Sequence, residues 1–296
     1  MKRQLGLAVA ILVVTLLASF AEADVKFGVL AQREPEITLK EWDSLGNYLS
    51  ERVGQKVTIV PLKFTEVLDF CRDEPTSFLF ANSWFIVRAK VRRKAKPPAT
   101  AKFKESRSVF GGVIFALSNS VIASLDDVRN KVLMCMNFMS PGGWLFQKGV
   151  LVRHGIHPEK DCKALLEGHT HDEVVFAVRD KRADVGTVRT NILETMEREG
   201  RIKRQDFVIL NEIRYPDFPE ACSTPLYPDW TVASLRDAAP EVATKVKEAL
   251  LSIQPGHPAL EHARNKLEGF VEPVDHEPLE ELLKSLNVEP FRGGEK

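Results

Sequence analysis

Past the first two dozen residues, short apolar or β-branched runs alternate with amphipathic segments along most of the chain. Val25–Ala31 reads as a strand, and Leu39–Arg52 as a helix with Leu39, Trp42, Leu45, Leu49 and Val53 along one face. Lys56–Leu62 is the next strand. A helix capped by Thr65 runs through Arg72, and a buried strand at Ser77–Phe80 ends on Asn82 and Ser83. The charged, proline-containing stretch Arg92–Ala101 then breaks the rhythm.

A second series begins at Ser108. It comprises the run Ser108–Leu117, a capped turn at Ser124–Asp127, strand Lys131–Phe138, helix Gly142–His154, strand Lys163–Leu166, helix Asp172–Arg179, strand Ala183–Val188 and helix Asn191–Gly200. After Phe207–Leu210 the chain turns often, at Pro216, Pro219, Pro225 and Pro228. It finishes in helical patterns at Pro240–Ser252, Ala259–Leu267 and Glu277–Leu286. Strands alternating with helices predict an α/β protein. The expected organisation is two lobes, 24–107 plus 207–296 and 108–206, with a ligand cleft between them.

The first 23 residues change the compartment. Lys2 and Arg3 precede the uncharged run Leu5–Phe20, and Ala21-Glu22-Ala23 supplies small residues for cleavage before Asp24. This is the pattern of a secretory signal peptide, which places the mature chain in the periplasm as an expectation. Lys plus Arg and Asp plus Glu each number 41, so no overall charge draws the protein to nucleic acid or anionic lipid. The basic run Arg88–Lys96, ending in Pro97-Pro98, reads as a solvated helix end and linker. Cys71, Cys135, Cys162 and Cys222 form no CxxC pair and read mostly as small buried hydrophobes; spacing cannot decide whether any pair as disulfides.

The candidate chemistry centres on Met139-Ser140-Pro141-Gly142-Gly143-Trp144. A buried strand that breaks at a Ser/Gly turn and restarts as a helix leaves backbone N–H groups unpaired beside a small hydroxyl, a natural seat for an oxyanion. Other polar residues follow predicted strand ends: Asn82 and Ser83, His171, and Arg189 with Thr190. Ser223 and Thr224 lie in the turn-rich return. Each reads singly as a cap or a surface residue, but together they form a donor set suited to a phosphate-like or sulfonate-like group.

Seven segments, in order, resemble phosphonate-type (PhnD-like) periplasmic substrate-binding proteins. They are FGVLAQREP, GGVIFAL, SLDDVRNKV, SPGGW, GHTHDEVVFAV, ADVGTVRT and STPLYPDW. The resemblance implies a type 2 periplasmic binding fold, two α/β lobes on a double-crossover hinge. It also implies that Ser140, Gly142, Gly143 and His171 hold the oxyanion. Pro141 and Gly142 stand where phosphonate binders carry hydroxyls, and Arg189 stands where an acidic residue would meet an ammonium. A ligand anionic at both ends is the expectation. The VRT and STPLYPDW signatures resemble the branch that serves as sensing domains of membrane histidine kinases, including tetrathionate sensors. No segment reads as a kinase, so the expected partner is the membrane permease of an ABC transporter or a separate membrane sensor kinase, with the protein itself a monomer.

No cofactor, metal or catalysis is expected. Two alternatives carry named residues: a hydrolase using Ser140, His171 and Asp184, and a metal site among His154, His157, His169, His171 and Asp172. A helix-end role for His154 and His157 explains those two more simply.

Overall fold

The computed structural model describes residues 24–31, 33–104, 107–263 and 266–292; the expected signal peptide, 1–23, lies outside them. In chain order the first strands and helices are β1 (Val25–Leu30), α1 (Pro35–Val53), β2 (Val57–Leu62), α2 (Val67–Asp73), β3 (Phe78–Ala81), α3 (Ser83–Arg93), β4 (Lys96–Phe103), β5 (Val109–Phe110) and β6 (Gly112–Leu117). There follow β7 (Val132–Cys135), a π-helical turn at Pro141–Leu145, α4 (Phe146–Arg153), α5 (Pro158–Asp161), β8 (Ala164–Glu167), α6 (His171–Arg179), β9 (Val185–Arg189) and α7 (Ile192–Arg198). The chain ends with β10 (Phe207–Leu210), β11 (Ile213–Tyr215), β12 (Phe218–Cys222), β13 (Tyr227–Pro228), β14 (Thr231–Ser234), α8 (Pro240–Leu251), β15 (Leu267–Val271) and α9 (Glu277–Ser285).

Two sheets result. The first has the order β15-β4-β14-β3-β1-β2, with β1 parallel to β2 and β3 and β14 antiparallel to β3 and β4. The second has the order β10-β6-β9-β7-β8, with β7 parallel to β8 and β9. This is the two-lobed α/β architecture expected from the alternation of runs.

Helix α1 shows how the pattern works and where it slips. Pro35 opens it, and Gly54 closes it in the left-handed region at φ 83°, donating to Ser50 O. Trp42, Leu45, Leu49 and Val53 are buried as read, but Leu39 faces outward and Thr38 takes the inward position.

Several boundaries are corrected. Helix α2 begins at Val67 rather than at a Thr65 cap, and Glu66 Oε2 accepts from Lys63 N. The basic run Arg88–Lys96 is a helix end but leads into no linker: α3 ends at Arg93, Lys94 turns at φ 55°, and β4 follows at once through the stretch read as a break. Pro97 and Pro98 are tolerated because pairing with β15 starts only at Thr100 and the β14 register is irregular beside them. Of the helix read at Ala259–Leu267, the described residues show instead a short 3₁₀ turn, Pro258–Leu260, and the start of β15 at Leu267. The run Phe207–Leu210 pairs with β6, so it belongs to the second sheet rather than the first lobe. Phe207 packs against Phe115 there, at 5.6 Å between ring centroids.

The chain passes between sheets after β4 and returns before β14, and the two crossings pair through β5 and β13. Side-chain hydroxyls fasten them. Thr224 Oγ1 accepts from Gly112 N at 2.8 Å. Ser223 Oγ accepts from Ile114 N at 2.8 Å and donates to Leu210 O at 2.7 Å. Behind the crossings, α9 touches both halves. A Cβ on Gly149 of α4 would lie 2.2 Å from Leu282 Cδ1, so that leucine methyl fills the space the glycine leaves. Lys90 pairs with Glu280 at 2.5 Å, and Trp84 Nε1 donates to Glu289 O at 3.1 Å.

Candidate ligand-binding cleft

The central turn grows from the end of β7. Asn137 starts it, with Oδ1 accepting from Met139 N and its carbonyl from Ser140 N. Ser140 then caps the π-helical turn: its Oγ accepts from Gly143 N at 3.1 Å, and its carbonyl accepts from Trp144 N and Leu145 N. Pro141 has no N–H to satisfy, and the Gly142 N–H has no partner among the described residues. The carbonyls of this turn are tied inward. Gln147, fully buried on α4, donates from Nε2 to Gly142 O at 2.6 Å, and Thr187 Oγ1 donates to Gly143 O at 2.7 Å.

Both glycines are required by close approach. A Cβ on Gly143 would stand 2.7 Å from Ser140 Oγ and 3.0 Å from His171 Cε1, and one on Gly142 would stand 2.6 Å from Phe110 Cε2.

His171 is the first residue of α6. Thr170 caps that helix by accepting from Glu173 N, while Glu173 Oε2 reaches back to His169 N. The Nδ1 atom of His171 is buried without a hydrogen-bond partner among the described residues. Burial, and then the positive charge of Arg189, push this imidazole down to about 4, with Asp172 opposing. His171 is therefore neutral near pH 7 and offers one donor and one acceptor.

Arg189 ends β9. Its Nη2 lies 2.6 Å from Oδ2 of Asp229, which has no exposed surface, and its guanidinium carbon sits 4.3 Å over the ring of Phe110. From the first lobe, Asn82 caps α3 by accepting from Phe85 N at 3.3 Å. Phe64 is half exposed and stacks on Trp84, with centroids 5.6 Å apart and planes 16° apart.

Asn82, Ser140, Gly142, Gly143, His171 and Arg189 line one cleft of about 490 Å³, together with Leu30, Phe64, Phe110, Met136, Met139 and Trp230. Most of these sit just past the carboxyl ends of parallel strands, the usual position of a ligand crevice in an α/β sheet. No Asp or Glu is among the described lining residues. The cleft thus joins neutral donors and one guanidinium to a soft, largely apolar wall.

The remaining expected residues lie outside the lining. Ser83 is fully buried in the first turn of α3. Thr190 Oγ1 accepts from Gly111 N at 3.3 Å, and Ser223 and Thr224 are spent on the crossings. Their hydroxyls satisfy backbone N–H groups that the crossing strands leave unpaired. The hydrolase arrangement is not assembled, because Asp184 Oδ2 accepts from Val132 N and is not in the cleft. Among the described residues no three His, Cys, Asp or Glu side chains gather as a metal site, and His154 Nδ1 meets Val150 O at its helix end. The four cysteines are free thiols. Burial pushes Cys71, Cys135 and Cys222 up to about 12 and Cys162 to about 11.

Sequence reasoning missed Asp229 and the apolar wall. Asp229 was visible within STPLYPDW, but no local spacing announces a carboxylate that reaches an arginine 40 residues away.

The profile of the phosphonate periplasmic substrate-binding proteins of ABC transporters matches residues 27–277. The chain belongs to this family. The tetrathionate sensor histidine kinase TtrS of Salmonella typhimurium is 30% identical over 230 residues, which cover 76% of this chain and 39% of that protein. The chain thus spans about two fifths of the length of this curated relative. Among solved structures, PhnD1 from Prochlorococcus marinus in complex with methylphosphonate superposes with a TM-score of 0.67 at 16% identity, covering 89% of this chain and 98% of PhnD1. A Xanthomonas citri protein bound to ATP gives 0.69 at 18% identity, covering 91% and 98%. These two establish the fold. The family is one of periplasmic substrate-binding proteins of ABC transporters.

Proposed function

We propose that the protein captures a small oxyanion in this cleft and hands it to the permease of an ABC transporter. The observation that carries this reading is the unpartnered Gly142 N–H beside the Ser140 hydroxyl and the orphaned Nδ1 of neutral His171, in a cleft whose described lining has no carboxylate. A desolvated oxyanion is held well by fixed neutral donors at helix N-termini, which complement its charge without an ammonium or metal. Asn82 is the candidate contact from the first lobe, so that bound ligand joins both lobes and favours closure.

A second reading is favoured by the similarity to TtrS: the protein reports occupancy to a membrane histidine kinase. On that reading the ligand is an elongated dianion. One end sits at the Ser140 turn, the other faces Arg189, and Met136, Met139 and Trp230 enclose a polarisable middle.

Thermal-shift and calorimetric titration of the purified protein with phosphate, phosphite, methylphosphonate, sulfate and tetrathionate tests the proposal. At least one anion should raise Tm saturably, and Ser140→Ala and His171→Ala should each weaken it about tenfold or more. Failure of every oxyanion, or undiminished binding by both variants, contradicts it. Stimulation of permease ATP hydrolysis by the loaded protein identifies delivery; a ligand-dependent change in kinase autophosphorylation identifies reporting.

A further inference from the structure

The arginine of the cleft is not a bare cation. Arg189 is the one permanently charged side chain among the described lining residues, and it is bonded to a carboxylate behind it. That carboxylate is rigidly placed: Asp229 Oδ1 accepts from Trp230 N at 2.8 Å, and Asp229 N donates to Ser108 O at 3.0 Å in the opposite crossing. The two groups differ sharply in access, Arg189 being 28% exposed and Asp229 not at all. A ligand in the cleft meets the guanidinium and never the carboxylate, yet feels the field of both.

Resting on the oxyanion reading above, we propose that Asp229 is a specificity-determining residue that limits the pull of Arg189, so that the pair rewards a second anionic group on the ligand only moderately. The physical argument is Coulombic. A negative charge 2.6 Å behind the guanidinium, on a carboxylate with no exposed surface, cancels much of its potential at the cleft. It also occupies part of the guanidinium's donor edge, leaving the rest for the ligand. A single oxyanion at the Ser140 turn gains little from so compensated an arginine. An ammonium at the same place gains no exposed carboxylate, because Asp229 is covered.

The two halves of the pair therefore carry opposite signs, which no merely structural role reproduces. The probes are ethane-1,2-disulfonate and ethanesulfonate, alike but for the second charge, titrated calorimetrically at low ionic strength. Arg189→Gln should weaken the disulfonate about tenfold and leave the monosulfonate within about threefold. Asp229→Asn should do the reverse and tighten the disulfonate several-fold more than the monosulfonate. Asp229→Ser removes the charge without turning an amide hydrogen toward the guanidinium, and serves if the asparagine variant melts early. Parallel losses in the arginine and aspartate variants, or an unchanged disulfonate-to-monosulfonate ratio in both aspartate variants, overturn the inference while the oxyanion reading stands. A wild-type protein that binds neither these sulfonates nor any of the oxyanions above removes both.

Discussion

Gln147 Nε2 donates to Gly142 O at 2.6 Å and to Val188 O at 2.8 Å, so one buried amide fastens the central turn of the cleft to the end of β9. The bond orients the peptide planes of the turn, with carbonyls held in the lobe and the Gly142 N–H left for the cleft. Replacing it with Gln147→Leu leaves those carbonyls without their donor. The expected cost is about 1–3 kcal/mol of stability, with anion affinity down about tenfold as the turn loses its orientation. Chemical denaturation and calorimetric titration measure the two effects; unchanged affinity contradicts the positioning role.

Gly143→Ala tests the close approach directly. The new methyl would press on Ser140 Oγ, Met136 Cβ and His171 Cε1 together, none of them farther than 3.0 Å. Overpacking of this kind costs about 1–3 kcal/mol. It should displace two candidate donors at once and abolish measurable binding at ligand concentrations that saturate the wild type.

Thr224→Ala should separate hinge from site. The hydroxyl serves Gly112 N in the crossing and does not line the cleft. Stability should fall by about 1–2 kcal/mol, while the dissociation constant stays within about twofold. A large loss of affinity without loss of stability would restore Thr224 as a ligand contact.

The sequence made the two-lobed fold legible because its apolar periods switch cleanly between strand and helix, as in α1 and β1. It also located the turn that lines the cleft, since Ser140, Gly142 and Gly143 follow a buried strand and precede a helix. It failed where tertiary context overrode local pattern. Pro97 and Pro98 read as a break, yet they sit in β4 opposite irregular pairing. Ser223 and Thr224 read as ligand donors because a free hydroxyl and one spent on a distant backbone N–H look alike in one dimension. Arg189 was legible as a charge, but the buried carboxylate it is bonded to, 40 residues away, was not.

Acid should destabilise the protein in a defined window. Burial pushes the imidazoles of His171 and His276 from the ordinary 6.5 to about 4. The folded state thus binds fewer protons than the unfolded state between those values, and stability falls as pH drops from about 6.5 toward 4. Scanning calorimetry should find Tm decreasing across this range, with His276→Gln flattening part of the slope. A Tm that holds level or rises on acidification contradicts the assignment of two buried neutral histidines.

The C-terminal helix should matter for stability out of proportion to its length, because Leu282 packs into the space that Gly149 leaves on α4. Leu282→Ala is expected to cost about 2–4 kcal/mol, read from denaturant midpoints. A loss below about 0.5 kcal/mol would mean that α9 is not anchored there.

The central claim is that the unpaired N–H of Gly142 receives the ligand. Titrating ¹⁵N-labelled protein with its best-binding oxyanion, while following the backbone amides by heteronuclear correlation NMR, tests this most directly. The account predicts a saturable downfield shift of the Gly142 amide proton, with the His171 ring resonances moving at the same midpoint. Saturable binding that leaves Gly142 and His171 unmoved would contradict it.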